Sequence, residues 1–112
     1  MRPSTKAYLL VGPQGAGKST WARSRSAEHS TDIYFDAILV KRSERARVLA
    51  IVRPYGIDAI AVWFQTSLET CSARNAQRPD DEIVAEQAIL NVFVALEPPS
   101  VEEGFKEVLI VA

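Results

Sequence analysis

Short runs of consecutive apolar residues alternate along this chain with segments whose apolar residues recur at helical spacing. Ala7-Tyr8-Leu9-Leu10-Val11, Ile33-Tyr34-Phe35, Ala59-Ile60-Ala61-Val62-Trp63-Phe64 and Val108-Leu109-Ile110-Val111 read as strands. The third run is continuously apolar, as central strands of a parallel sheet tend to be. Between them, a helix is expected from Lys18 to Ala27, with Trp21 and Ala22 beginning its core-facing side. A second is expected from Lys41 to Arg53, where Val48, Leu49 and Val52 make an apolar stripe and Pro54-Tyr55-Gly56 ends it. Thr66 with Glu69 three residues on reads as a capping box opening a third helix. If that helix persists, Arg74 and Arg78, four apart, share a face. Asp80-Asp81-Glu82 reads as the acidic start of a fourth helix, strongly apolar over Ile83 to Leu96 and stopped by Pro98-Pro99. Ser100 to Phe105 is then a loop. Strand–helix alternation of this kind predicts an α/β fold, a parallel sheet of four strands with helices on both faces, in one domain spanning residues 1–112.

The first strand runs into Gly12-Pro13-Gln14-Gly15-Ala16-Gly17-Lys18-Ser19-Thr20. This stretch fits G-x-x-x-x-G-K-[ST], between a strand and a helix, which is the context the pattern requires. Its chemistry is anion binding. Successive backbone N–H groups point into such a turn, and the helix dipole adds roughly half a positive charge. Lys18 is expected to reach the β- and γ-phosphates of ATP, and the Ser19 hydroxyl to ligate Mg²⁺. Asp36 follows the second strand, so it lies at the sheet edge where open α/β sheets bind ligands. It is the best candidate for the acid that holds Mg²⁺, directly or through water, a role that does not exclude an N-cap of the next helix.

Composition narrows the setting more than the function. The chain has 112 residues, 47% hydrophobic and 24% charged, with a formal net charge of −1. That balance gives no overall attraction to nucleic acid or to an anionic membrane. Lys41, Arg42, Arg45, Arg47 and Arg53 are a local exception. A basic helix of this kind can contact a phosphate backbone, but without interleaved aromatics it reads first as a solvated face. The sole histidine, His29, reads as a solvated helix end. Cys71 is the only cysteine, which excludes an intrachain disulfide and points to a reducing compartment; it is expected as a small buried residue. No stretch reaches the ~18 apolar residues of a membrane helix. The charged start Met1-Arg2-Pro3-Ser4-Thr5-Lys6 leads into too short an apolar run for a signal peptide, so a cytoplasmic location is expected.

Taken together, these segments resemble the P-loop kinases related to 5′-polynucleotide kinase and zeta toxin. The run Gly15 to Arg23 is similar to the start of those domains, and Asp36-Ala37 stands where they carry Asp-Ser/Ala-Thr-Asn. Arg42 through Gly56 resembles the helix that follows. Glu69 to Arg78 looks like the start of their lid, and Glu97-Pro98-Pro99 with Glu103-Gly104-Phe105 like their C-terminal signature. The resemblance implies a three-layer P-loop NTPase sandwich, with ATP and Mg²⁺ bound by Gly12 to Thr20. It makes Arg78 and Arg74 the lid arginines that stabilise charge on the transferred phosphoryl group, beside Lys18 and Asp36.

The chain departs from that pattern in two places. Ile38 and Leu39 replace the Thr-Asn of the Asp-containing segment. In addition, the family carries another strand with its helices between the phosphate-loop helix and the Asp-containing strand, where this chain has only Glu28 to Asp32. Removing that edge unit from the family order 2-3-1-4-5 leaves 3-1-4-5. In the family, the omitted unit supplies an Asp general base for the acceptor hydroxyl. Asp36 can be read as that base or as the metal-site acid. Two functions follow. One is an ATP-dependent phosphotransferase acting on a hydroxyl, either a nucleic-acid 5′-OH or a small metabolite. The other is a nucleotide-binding protein without kinase turnover. Loss of the edge unit is also expected to expose apolar surface along the Asp36 strand and its covering helices, which favours a homodimer.

Overall fold

The apolar runs do form the strands. A computed structural model describes residues 5–13, 15–28, 31–37 and 39–111, so Gln14, His29, Ile38 and the segment 1–4 lie outside the described residues. Strands β1 (Lys6–Val11), β2 (Ile33–Phe35), β3 (Asp58–Phe64) and β4 (Glu107–Val111) make one four-stranded sheet in the order β2-β1-β3-β4. Every neighbouring pair is parallel, with Leu9 opposite Phe35 on one side and Ala61 on the other. This is the order expected when the family's edge strand is removed. Four α-helices among the described residues connect the strands: α1 (Lys18–Glu28), α2 (Arg42–Val52), α3 (Leu68–Ala76) and α4 (Glu86–Ala95).

The sheet's two faces follow from the alternation of side chains along each strand. Ala7, Leu9, Ala59 and Ala61 face Leu49 and Val52 of α2, with Leu39 and Phe105 closing that layer. Tyr8, Leu10, Ile60, Val62 and Phe64 face the other way, against Trp21 of α1, Cys71 of α3 and Ile89 of α4. Helices therefore cover both faces, which is the three-layer α/β sandwich. Leu9, Leu10, Ala61 and Val62 have no solvent exposure. Burying each large aliphatic side chain contributes about 1.5–3 kcal/mol, so the central pair β1 and β3 anchors the molecule.

The second helix contradicts its expected solvated face at one position. Arg45 shares the buried side of α2 with Leu49 and Val52, at 0% exposure. Its guanidinium pairs with Glu103 at 2.8 Å and donates to the carbonyls of Leu39, Val40 and Glu97. Glu103 also accepts from the Ser100 N–H, and Glu97 from the Arg42 N–H. The C-terminal segment resembling the family signature is thus a structural clasp that holds residues 97–105 against α2. Lys41, Arg42, Arg47 and Arg53 do remain exposed.

Three local expectations need correction. The third helix is capped by Ser67, whose hydroxyl accepts from the Thr70 N–H at 3.1 Å, rather than by Thr66. It ends at Ala76, so Arg78 lies beyond it and shares no helical face with Arg74. Asp80–Glu82 forms a separate 3₁₀ turn, and the fourth helix begins only at Glu86. Asn75, buried at the end of α3, explains the break. Its side-chain amide donates to the Val84 carbonyl and accepts from the Val84 N–H, pinning an extended segment there. The expected apolar surface along the Asp36 strand is partial, with Ile51 on the covering helix α2 exposed, and a further apolar surface lies on α4. The β2 residues are half-buried, whereas Leu90, Phe93 and Val94 on α4 are exposed.

Candidate functional site

The C-terminal ends of β1 and β3 open onto a cavity of about 780 Å³, lined by residues 15–21 with Ser24, Asp36, Ala37, Phe64, Thr66, Arg74, Arg78 and Val111. Its floor is the turn between β1 and α1. The first backbone hydrogen bond of α1 runs from the Trp21 N–H to the Gly17 carbonyl at 3.0 Å. The N–H groups of Lys18, Ser19 and Thr20 precede it and have no acceptor within the helix. They are the donors that a phosphate group would meet, at the positive end of the helix dipole.

Glycine is required in this turn for two separate reasons. Gly15 and Gly17 have φ of +80° and +100°, conformations that strain any residue with a Cβ. Gly15 also lies so close to α3 that a Cβ would stand 2.6 Å from the Cys71 carbonyl oxygen. The turn and α3 are packed backbone to backbone. Cys71 is buried, as expected, and burial pushes its thiol above the ordinary value.

Each charged residue has a defined place. Lys18 is buried, and its Nζ lies 3.4 Å from the Ala37 carbonyl. Desolvation lowers its pKa most; the Asp36 carboxylate opposes that shift, and the Arg78 guanidinium adds to it. A phosphate anion beside Lys18 would reverse the shift by favouring the charged form. The Ser19 hydroxyl donates to Asp36 Oδ2 at 2.6 Å. This contact exists because β2 pairs directly with β1 in parallel, which brings Asp36 to the same sheet edge as the turn. Two side-chain oxygens this close are of the type that suits a hard cation such as Mg²⁺. Among the described residues, no group of three or more His, Cys, Asp or Glu gathers as a metal cage.

The two arginines differ. Arg74 Nη1 donates to the Gly15 carbonyl at 3.0 Å, so its guanidinium is engaged with the turn itself. Arg78 lines the cavity from the segment after α3, with Nη1 3.4 Å from the Glu82 carbonyl. Of the expected site residues, Gly15 to Thr20, Asp36, Arg74 and Arg78 come together around the cavity. Gly12 and Pro13 are buried beneath the turn, where the Pro13 carbonyl accepts from the Ala16 N–H. Gln14 lies outside the described residues. Sequence reasoning missed Thr66, whose hydroxyl donates to the Ala16 carbonyl at 2.9 Å. A hydroxyl just past the C-terminal end of the strand next to β1 is the available signal, but the Thr66–Glu69 spacing points first to a cap. Trp21 and Ser24 of α1 also line the cavity without having been singled out for it.

No helix among the described residues is long and apolar enough to cross a membrane. No curated protein matches the chain. Residues 25–98 match the AAA domain family, over more than half of the chain and downstream of the glycine-rich turn. The matched segment contains Asp36, Arg74 and Arg78 and begins after the glycine-rich turn. With a parallel α/β sheet feeding a phosphate loop, and that match beyond it, the chain belongs to the AAA domain family, as a nucleotide-binding protein of the P-loop kinase-like superfamily.

Proposed function

We propose that the chain binds Mg-ATP and transfers the γ-phosphate to a hydroxyl acceptor, as a kinase of the polynucleotide-kinase type. One observation carries the reading: Lys18, the Ser19–Asp36 pair and Arg78 converge on a single cavity floored by helix N–H groups. Phosphoryl transfer needs positioning and charge neutralisation more than covalent chemistry from the protein. In this reading the backbone of Gly15 to Thr20 cradles the phosphates and Lys18 neutralises the β/γ pair. Ser19 and Asp36 hold Mg²⁺, which when bound neutralises phosphate charge. Arg78 faces charge that develops on the transferred group. The hydrogen bond from Ser19 favours the metal-site role for Asp36 over that of general base. The acceptor is a nucleic-acid 5′-OH or a small hydroxyl metabolite. Self-association into a dimer belongs to the same reading.

A specific observation supports the second reading, nucleotide binding without transfer. Among the described residues lining the cavity, Asp36 is the one carboxylate, and it is already committed to Ser19. The deciding experiment first titrates Mg-ATP into the wild type and Lys18→Ala. Labelled ATP is then supplied with a mixed panel of 5′-OH oligonucleotides and small hydroxyl metabolites. Saturable binding lost in Lys18→Ala, with label transferred to one acceptor class, is expected. Arg78→Ala should lower turnover by roughly 10²–10³-fold with little change in ATP affinity. Binding without transfer to any acceptor selects the second reading, and absence of saturable binding removes both.

A further inference from the structure

We propose that Thr66 is a positioning residue of the phosphate loop, holding the Ala16–Gly17 peptide in the orientation that binds phosphate. The inference rests on the nucleotide-binding reading and adds a residue to it. Thr66 lies two positions past the end of β3, between that strand and the Ser67 cap of α3. It does not serve the helix. Its Oγ1 reaches across to donate to the Ala16 carbonyl at 2.9 Å, a contact between residues 50 apart in sequence.

A trans peptide is planar, so its C=O and N–H point in opposite directions. Fixing the Ala16 carbonyl against Thr66 therefore aims the Gly17 N–H away from Thr66. Gly17 sits at φ +100°, in backbone that other residues avoid and that nothing local enforces on glycine. A conformation that is optional for the residue needs an outside contact to hold it. Two further contacts act on the preceding peptide. Arg74 donates to the Gly15 carbonyl at 3.0 Å, and the Cys71 backbone packs on Gly15. The strand-to-helix connection at Thr66 and the α3 residues Cys71 and Arg74 thus splint successive loop peptides. The phosphate site is built by both sides of this contact, not by the glycine-rich turn alone.

Calorimetry with two probes tests this: Mg-ATP and Mg-tripolyphosphate, each titrated into the whole chain. Wild type should bind both. Thr66→Val, which removes the hydroxyl at nearly constant shape, should weaken both by about five- to tenfold and to the same extent. Thr66→Ser should bind like wild type, because it keeps the donor. Thr66→Ala, smaller still, should repeat the loss if the valine variant fails to fold. Unchanged tripolyphosphate affinity in Thr66→Val or Thr66→Ala overturns the proposal. So does a loss confined to ATP, which would put Thr66 on the nucleoside. A Thr66→Ser variant as weak as Thr66→Val also overturns it. Wild type binding neither probe would remove the nucleotide reading itself, an outcome distinct from the others.

Discussion

Arg45 sits in a buried, fully paired environment that is costly to disturb. Its side chain has no solvent exposure and its partner Glu103 has 4%. A guanidinium in that position is tolerable because its donors are met by one carboxylate and three carbonyls. Removing one side of a buried pair leaves the other charged, dry and alone, which costs about 3–5 kcal/mol. Arg45→Met should therefore lose that much in urea denaturation, against a total stability of roughly 5–15 kcal/mol for domains in general. Arg45→Met with Glu103→Met should lose less than the two single variants added together, because no orphan charge remains. It should still fall short of wild type, since the carbonyls of Leu39, Val40 and Glu97 stay unpaired. A single variant within 1 kcal/mol of wild type would show that the clasp is open in solution.

At the scale of elements, the contact between the phosphate loop and α3 sets the geometry of the site. Substituting either loop glycine by alanine strains the backbone by about 1–3 kcal/mol, because both hold positive φ. They differ in what a Cβ would meet. At Gly17 it finds only the end of the Arg74 side chain, 3.5 Å away and free to move. At Gly15 it finds the α3 backbone at 2.6 Å, which cannot move without the helix. Gly15→Ala should accordingly lower the melting temperature clearly more than Gly17→Ala, and equal losses would contradict the packing of α3 on the loop. None of this was readable locally. The strands, the motif and the four helices were, because apolar runs, glycine spacing and helix stops are properties of neighbouring residues. Thr66 and Ser67 are adjacent potential caps, and only the loop 50 residues upstream assigns them different partners. Arg45 carried a fainter signal: it falls at i, i+4, i+7 with Leu49 and Val52, on the face that the hydrophobic stripe buries. Charge composition concealed what periodicity pointed to.

For the whole molecule, the open question of surface lies on α4, away from the shortened β2 edge. The helix reads Glu-Gln-Ala-Ile-Leu-Asn-Val-Phe-Val-Ala, yet within it only Ile89 is buried. Leu90, Phe93 and Val94 keep 37%, 39% and 76% of their surface exposed. A helix that serves one core face normally places polar residues outside. This one carries an apolar outer face, and a second copy of the same helix offers the matching surface. The magnitude decides how tight such a pairing is. Full burial of each large apolar side chain contributes about 1.5–3 kcal/mol, but these three are already partly covered, and association costs roughly 4–15 kcal/mol. Six half-exposed side chains across a symmetric interface come close to offsetting that cost without far exceeding it. A weak, concentration-dependent dimer is therefore expected. Sedimentation velocity should show the average mass rising above the 12.4 kDa of one chain as concentration increases. Phe93→Glu combined with Val94→Lys should hold the protein at that mass while leaving the far-UV circular dichroism unchanged, because neither side chain is buried in the core. A wild type that stays monomeric at about 1 mM, where even an interaction of about 4 kcal/mol would be half-populated, would exclude α4 as a self-association surface.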